Sequence, residues 1–440
     1  MKHSYYNVLT NLSEDEYLLY NTNSEAMAVL TSSEKDDYER IGKGELAEGP
    51  LYEALLANRF ILKDPEDEAS WLEYEYEKYK YNNRLFELII TPTISCNLRC
   101  SYCYERKRPG FMSEDVQDAL IKFVEQSYEQ QPFREFRVTW YGGEPLLGAN
   151  IIERLSKAFL KFCDTHGVAY HASLMTNGSL ASKEMMDRMY ACGVKSVQVT
   201  FGGKGEVHDS ERPAVDGTPK FQTIYDNTCR MLDDGTAVHV EYVFDADNID
   251  SCIEVASDLG PHHNIFTHFP YPKMDYNNDF CDSNGVCRYH LQTPKEQAQG
   301  YRDIILATQP DADHWRQLLH PLKHYCGAQT DRFFVIDEQG RAYKCICDVD
   351  KPDTHTLFNV CEPVEERKVN WEKMTYYMGH NPIKNSHCRT CRVLPLCNGY
   401  CFIDQDQDRD WVANRCYPMK YAIEDFLRAY YEAKTKEECL

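Results

Sequence analysis

The sequence has no apolar run long enough to span a membrane, no basic-then-apolar start of the kind that directs secretion, no fixed-period repeat and no low-complexity tract. Basic residues are scarce. Against 70 Asp and Glu there are 48 Lys and Arg, a formal charge of −22 that repels phosphate backbones and anionic bilayers. Neither nucleic acid nor membrane is therefore an expected partner, and the expected compartment is the cytoplasm. That compartment keeps thiols reduced, so the 19 cysteines are not a disulfide framework and call for a metal or redox role.

The chain is 440 residues long and 42% apolar, enough for two or three modules with proper cores. Residues 1–84 are acidic and Tyr-rich. An alternating run at Tyr17–Tyr20, a turn at Asn21–Ser24 and helical patterns around Pro50–Phe60 and Glu68–Tyr81 predict a small α+β module. Over 85–275, six β-rich runs (LFELIITP, FRVTWYGG, YHASLMTNG, VKSVQVTFG, AVHVEYVFD, NIFTHFPYP) alternate with helical patterns. Such alternation predicts a parallel sheet, and six units are too few to close a full barrel, so an open (β/α)6 TIM-like barrel is expected. Residues 276–325 read as a connection, and 326–440 as a cysteine-dense domain.

Cysteine placement carries the chemistry. Cys96, Cys100 and Cys103 follow the first apolar strand as CxxxCxxC. Three thiolates on one loop can hold three irons of a [4Fe–4S] cube and leave the fourth iron open. Structural zinc prefers four ligands, and no fourth Cys or His is close in sequence. The next strand ends in Gly142-Gly143-Glu144-Pro145, where the glycines permit close backbone approach. Met175–Ser179 reads MTNGS at the end of the third strand, and residues 198–213 read QVTFGGKGEVHDSERP.

CxxxCxxC with an aromatic residue, Tyr102, before its last cysteine resembles the signature of the radical S-adenosylmethionine (SAM) superfamily. The resemblance implies that the open iron chelates SAM, whose reductive cleavage yields a 5′-deoxyadenosyl radical; the reductant would be a one-electron donor such as flavodoxin or ferredoxin. It also implies that Gly142, Gly143, Glu144 and Pro145 form the SAM-binding GGEP turn, with Glu144 accepting from the SAM ammonium. Thr176 and Asn177 would approach the ribose and adenine; the alternative is an ordinary Asn-Gly turn. Gly202 stands where the resemblance expects an Asp, while His208, Asp209 and Arg212 keep the rest of that segment; these three either position substrate or, as expected here, form a solvated loop network.

Cys326, Gly340 with four residues before Cys345, then Cys388, Cys391, Cys397, Cys401 and Cys416 resemble a SPASM domain, found in radical SAM enzymes that mature peptides and proteins. That implies two auxiliary [4Fe–4S] clusters, three clusters in all. One would take Cys388, Cys391, Cys397 and Cys416; the other Cys326, Cys345 and Cys401. For the latter's fourth ligand, Cys347 is the leading choice, on the same face as Cys345 if the segment is extended; Cys361 and an open position are alternatives. A zinc ribbon of Cys388, Cys391, Cys397 and Cys401 would leave the others unexplained. The remaining cysteines (163, 192, 229, 252, 281, 287, 439) are expected to include buried small hydrophobes.

Peptide-modifying members of the family often begin with a winged-helix-like leader-recognition domain, which 1–84 resembles; a structural cap on the barrel is the alternative. The expected function is maturation of a ribosomally made precursor peptide carrying a leader, by a thioether or carbon-centred side-chain crosslink. Oxidation of Cys or Ser to formylglycine in a sulfatase is the second reading. A non-catalytic iron–sulfur scaffold that binds a peptide is a third, of a different class.

Overall fold

The computed structural model describes residues 1–262, 265–267, 271–272, 294–322, 326–399 and 416–438. The chain divides into two compact units. One comprises Met1–Lys80, Thr293–Cys326 and His380–Leu440, the other Tyr81–Gln292 and Gly327–Gly379. Residues 326–440, read as one module from their cysteines, are thus shared between the two units.

In the first unit, β1 (Lys2–His3) pairs antiparallel with β5 (Ile61–Leu62), and β2 (Asn7–Asn11), β3 (Glu16–Asn21) and β4 (Met27–Thr31) form an antiparallel meander. A helix that the apolar pattern did not reveal, Ser32–Gly42, follows β4. Its start was written in the sequence as a capping box, Thr31-x-x-Glu34, in which each side chain bonds the other's backbone N–H. Helices Pro50–Ala57 and Pro65–Lys80 complete the amino-terminal part. Tyr301 and Trp315 pack edge-on and tilted against Phe426 of the long helix Met419–Glu438, and Arg302 binds Asp425 at 2.9 Å.

In the second unit the six expected strands are present: β6 (Leu85–Ile90), β7 (Glu135–Trp140), β8 (Ala169–Thr176), β9 (Val194–Phe201), β10 (Ala237–Phe244) and β11 (Ile265–Thr267). They are parallel and adjacent in sequence order, with β12 (Tyr271–Pro272) also paired to β10. The sheet continues past β6. β13 (Phe333–Ile336) runs parallel to it, Phe333 opposite Glu87, and the antiparallel strands β14 (Arg341–Tyr343) and β15 (Phe358–Asn359) follow. Gly340, at φ +79°, makes the β13–β14 turn, where Asp337 Oδ1 accepts from the N–H groups of Gln339 and Arg341. The result is an α/β fold with a mostly parallel sheet, the partial barrel the alternation called for, extended by a strand from the cysteine-rich region. Among the described residues no helix is long and apolar enough to cross a membrane.

Alternation fixes two faces on each strand. Phe86, Leu88, Ile90, Phe136, Val138, Leu174, Val197, Val199, Val238 and Val240 are buried on one face, against helices such as Ala149–His166 and Phe221–Asp233. An aromatic cluster of Phe86, Phe123, Phe133, Phe136, Phe334 and Phe358 joins β6, β7, β13 and β15 to the helix Glu114–Gln130, with the Arg332 guanidinium over Phe86 and Phe133. Leu88, fully buried in mid-strand, should therefore be costly to truncate. Leu88→Ala is expected to destabilise the protein by about 2–5 kcal/mol, read as a lower urea midpoint.

Candidate active site

The carboxyl ends of the strands gather the predicted residues, and glycine is what lets them approach. Gly142 has φ +130°, and a Cβ there would stand 2.3 Å from the Thr93 carbonyl oxygen; a Cβ on Gly143 would stand 2.3 Å from those of Ile94 and Ser95. This contact is a short ladder: Gly143 N–H donates to Thr93 O at 3.1 Å, and Glu144 N–H to Ser95 O at 2.9 Å. The GGEP turn is thus zipped to the segment that leads into Cys96.

Glu144 is fully buried. It accepts from Thr176 Oγ1 (2.8 Å), Leu146 N–H (3.0 Å) and Asn177 N–H (2.8 Å). Burial raises its pKa against the pull of these donors. Thr176 and Asn177, 6% and 7% exposed, are therefore more than a surface turn. Asn177 Nδ2 donates to Asn97 Oδ1 at 2.8 Å, its Oδ1 accepts from Ser179 at 2.6 Å, and Asn97 Nδ2 reaches the Ser179 hydroxyl at 2.9 Å. A polar ring of Asn97, Asn177 and Ser179 lies beside Cys96.

The segment around His208 was expected to be solvated. His208 and Arg212 are buried instead. Arg212 is 4% exposed because residues 211–215 pair with the cysteine loop, and His208, 0% exposed, packs against Phe201 and Phe221. Ser101 N–H donates to Glu211 O, Arg99 N–H to Pro213 O and Val215 N–H to Asn97 O, at 2.8–2.9 Å, and the Ser101 hydroxyl donates to Glu211 at 2.7 Å. Asp209 Oδ1 accepts from Lys220 N–H (2.7 Å) and Phe221 N–H (2.9 Å), at the start of the helix Phe221–Asp233. Arg212 Nε points at Cys100 Sγ at 3.5 Å, and its Nη1, like the buried Tyr102 hydroxyl nearby, has no hydrogen-bond partner among the described residues.

All three loop thiols are free, and burial raises Cys96 to about 11 and Cys103 in the same direction. Two cations, the buried Arg212 beside Cys100 and the half-buried Lys107 near Cys96 and Cys103, face them, the second also paired with Glu105. Soft donors on one loop, with positive charge on both sides, suit an anionic iron–sulfur cluster. Among the described residues no three Cys, His, Asp or Glu side chains converge on a single ion; a four-iron cube takes each thiolate on a different iron and has no need of that.

In the first unit, Cys391 and Cys416 lie close enough to Cys388 and Cys397 to hinder the ionisation of those two. Burial and these neighbours push Cys388 up to about 12 and raise Cys397 also. Lys420 Nζ lies 3.3 Å from Cys416 Sγ, and Tyr6, Leu72, Tyr76, Ile383 and Leu394 pack against Cys388 and Cys391. This set fits a cluster as well. Cys345 and Cys347 stand together at the Tyr377 hydroxyl, but not on an extended strand. Ile346–Asp348 is a tight 3-10 turn in which Cys345 Sγ accepts from Cys347 N–H at 3.4 Å. Cys361 is exposed, among Asp115, Arg367 and Asp337 instead. Cys326 belongs to the first unit; Cys401, Cys281, Cys287 and Cys439 lie outside the described residues. Cys163, Cys192 and Cys252 are buried, as expected of small hydrophobes.

Two outcomes test this geometry. Gly143→Ala is expected to displace the loop before Cys96, lowering both the melting temperature and the iron retained after reconstitution. His208 is held at about 2 by burial and by Arg212, against 6.5 when unfolded. Its folded pKa is the lower one, so its contribution to stability is complete above pH 6.5 and lost as pH falls. About 2 kcal/mol is lost through this group between pH 7 and 5, and His208→Gln should flatten urea midpoints over that range accordingly.

Residues 90–203 match the Radical SAM superfamily. The cysteine-type anaerobic sulfatase-maturating enzyme of Clostridium perfringens (strain 13 / Type A) is 23% identical over 73% of this chain and 90% of that protein. In fold, the chain is similar to native anSMEcpe with bound AdoMet and Cp18Cys peptide, with a TM-score of 0.59 and 18% identity over 80% of this chain and 99% of that one. It is also similar to Streptococcus suis SuiB bound to S-adenosylmethionine, with a TM-score of 0.52 and 14% identity over 95% and 99%. The protein is thus an enzyme with a radical SAM domain, matched over residues 90–203 and holding Cys96, Cys100 and Cys103.

Proposed function

We propose that the protein matures a ribosomally made precursor peptide, abstracting a hydrogen atom and leaving a thioether or carbon-centred side-chain crosslink. The observation that carries this reading is the convergence of the GGEP turn, the TNGS strand end and the Arg212 arm on the CxxxCxxC loop, at one end of an open barrel. When bound there, a [4Fe–4S] cluster and SAM supply one-electron cleavage of SAM to the 5′-deoxyadenosyl radical.

The chain's own residues hold and orient. Cys96, Cys100 and Cys103 supply three thiolates, and Arg212 and Lys107 offset the negative charge they gather. Glu144 spends three of its roughly four acceptor positions on the protein, leaving one for the SAM ammonium. Thr176, Asn177 and Ser179 present hydroxyl and amide groups where the ribose and adenine would lie, and Tyr102 adds a ring to the loop.

Cys388, Cys391, Cys397 and Cys416 would ligate one auxiliary cluster, and Cys345 with Cys347 part of another. The peptide leader would add to the free edge of β4, which pairs only with β3 among the described residues. Similarity to a sulfatase-maturating enzyme over 73% of the chain keeps formylglycine formation as the second reading.

The test is anaerobic turnover with SAM, a one-electron donor and a candidate precursor, followed by mass spectrometry. Loss of two hydrogens is the expected outcome. An unchanged peptide, or modification of a sulfatase peptide alone, overturns it. Cys100→Ala should abolish 5′-deoxyadenosine release, whereas Cys391→Ala should retain release and lose modified peptide.

A further inference from the structure

The face of the sheet opposite the helices is polar. The Thr139 and Ser173 hydroxyls meet across β7 and β8 at 2.9 Å. Near the other strand ends, Glu135 binds Arg137 at 2.6 Å and lies 3.7 Å from His171. Glu87, between β7 and β13, is half-buried close to Arg137. Each of these groups has its complement within the wall. Glu241 of β10 is different.

Glu241 stands opposite Thr200 of β9 in the parallel register, and its Oε2 accepts from Thr200 Oγ1 at 2.8 Å. It is partly exposed, and among the described residues no Lys, Arg or His lies within ion-pair distance of it. Its charge reaches the Tyr102 hydroxyl, which also feels Cys100, Cys103 and Arg212. The carboxylate therefore lies at the same end of the barrel as the cysteine loop, oriented by a hydroxyl and with no counter-charge among the described residues. A half-buried carboxylate without a cation costs solvation that a bound cation would restore.

We propose that Glu241, oriented by Thr200, is a substrate-positioning carboxylate that selects a lysine or arginine side chain in the peptide segment entering the barrel. The inference rests on the peptide reading of the substrate and adds a chemical class to it. One oxygen is held by Thr200, which leaves the other for a cationic side chain, and such a side chain is held near the loop of Cys96, Cys100 and Cys103. The net charge of −22 draws such a segment in from solution.

The experiment compares fluorescein-labelled peptides of about a dozen Gly and Ser residues, carrying a single central lysine or norleucine. Their binding to the reconstituted holoenzyme is followed by fluorescence anisotropy at physiological ionic strength, where distant surface charges are screened. The lysine peptide should bind about tenfold more tightly, the scale of one partly desolvated charge-assisted contact. Glu241→Gln should bring the ratio to about one, and Glu241→Asp, which keeps the charge, should keep the preference. Equal affinity of the two peptides for the wild type, absence of binding included, overturns the proposal. So does a lysine preference that survives in Glu241→Gln. The wild-type comparison stands even where the Gln variant folds poorly. Release of 5′-deoxyadenosine without peptide is measured in parallel: its failure with the lysine preference intact removes the functional reading and leaves the role of Glu241 in place.

Discussion

The approach of Gly142 and Gly143 to the backbone of Thr93–Ser95 is the contact on which the rest of the site depends. Any side chain at these positions would be driven into carbonyl oxygens at 2.3 Å. Two hydrogen bonds across this gap place Glu144 at the bottom of the loop, and Glu144 in turn fixes the end of β8 through Thr176 and Asn177. Strand end, turn and cysteine loop thus form one hydrogen-bonded body. Burying a carboxylate in it is costly unless every donor is in place, which makes the arrangement all-or-none rather than adjustable.

The same economy explains why the cysteine loop is held on a second side. Residues 211–215 make an antiparallel seam with residues 97–101, and this seam carries Arg212 to Cys100. Beyond Cys103 the chain returns to the carboxy-terminal part of the same unit: Arg108 binds Glu338 at 3.0 Å and Asp350 at 3.1 Å, and Ile94 packs with Phe333, Val335, Tyr343 and Val349. The parallel pairing of β13 with β6 is what brings that hairpin to the loop. A strand after the barrel thereby completes the support of a loop near its beginning.

The barrel and the three cysteines of the loop were legible in the sequence because their signals are local: period-2 apolar runs, fixed spacing and a glycine pair after a strand. β13 was not. Its four residues, FFVI, lie in a region read for its cysteines, and pairing with a strand more than 200 residues earlier leaves no local mark. His208 and Arg212 were misjudged for a related reason. Polar residues in a short segment look solvated until their partners are known: those of Arg212, Cys100 and Tyr102, stand over 100 positions away, while His208 packs between Phe201 and Phe221. Ser101 and Glu211 show the same thing, a pair visible only once the chain is folded. The capping box at Thr31 and Glu34 was local and could have been read.

Gly202, where the resemblance led us to expect an aspartate, now has a physical setting. A Cβ there would stand 3.3 Å from Glu211 Cβ and 3.7–3.8 Å from Arg212 carbons, so a larger side chain would press on the arm that clasps the cysteine loop. Without a carboxylate at 202, Arg212 is left to interact with Cys100, Cys96 and Tyr102, and it also draws on Glu144. Its Nη1, without a partner among the described residues, is a donor at the heart of the site. The departure from the family pattern therefore directs a buried positive charge toward the thiolates and leaves a donor for whatever lies between them and Glu144. A loss of one acidic group has made the site more cationic at the point where negative charge collects.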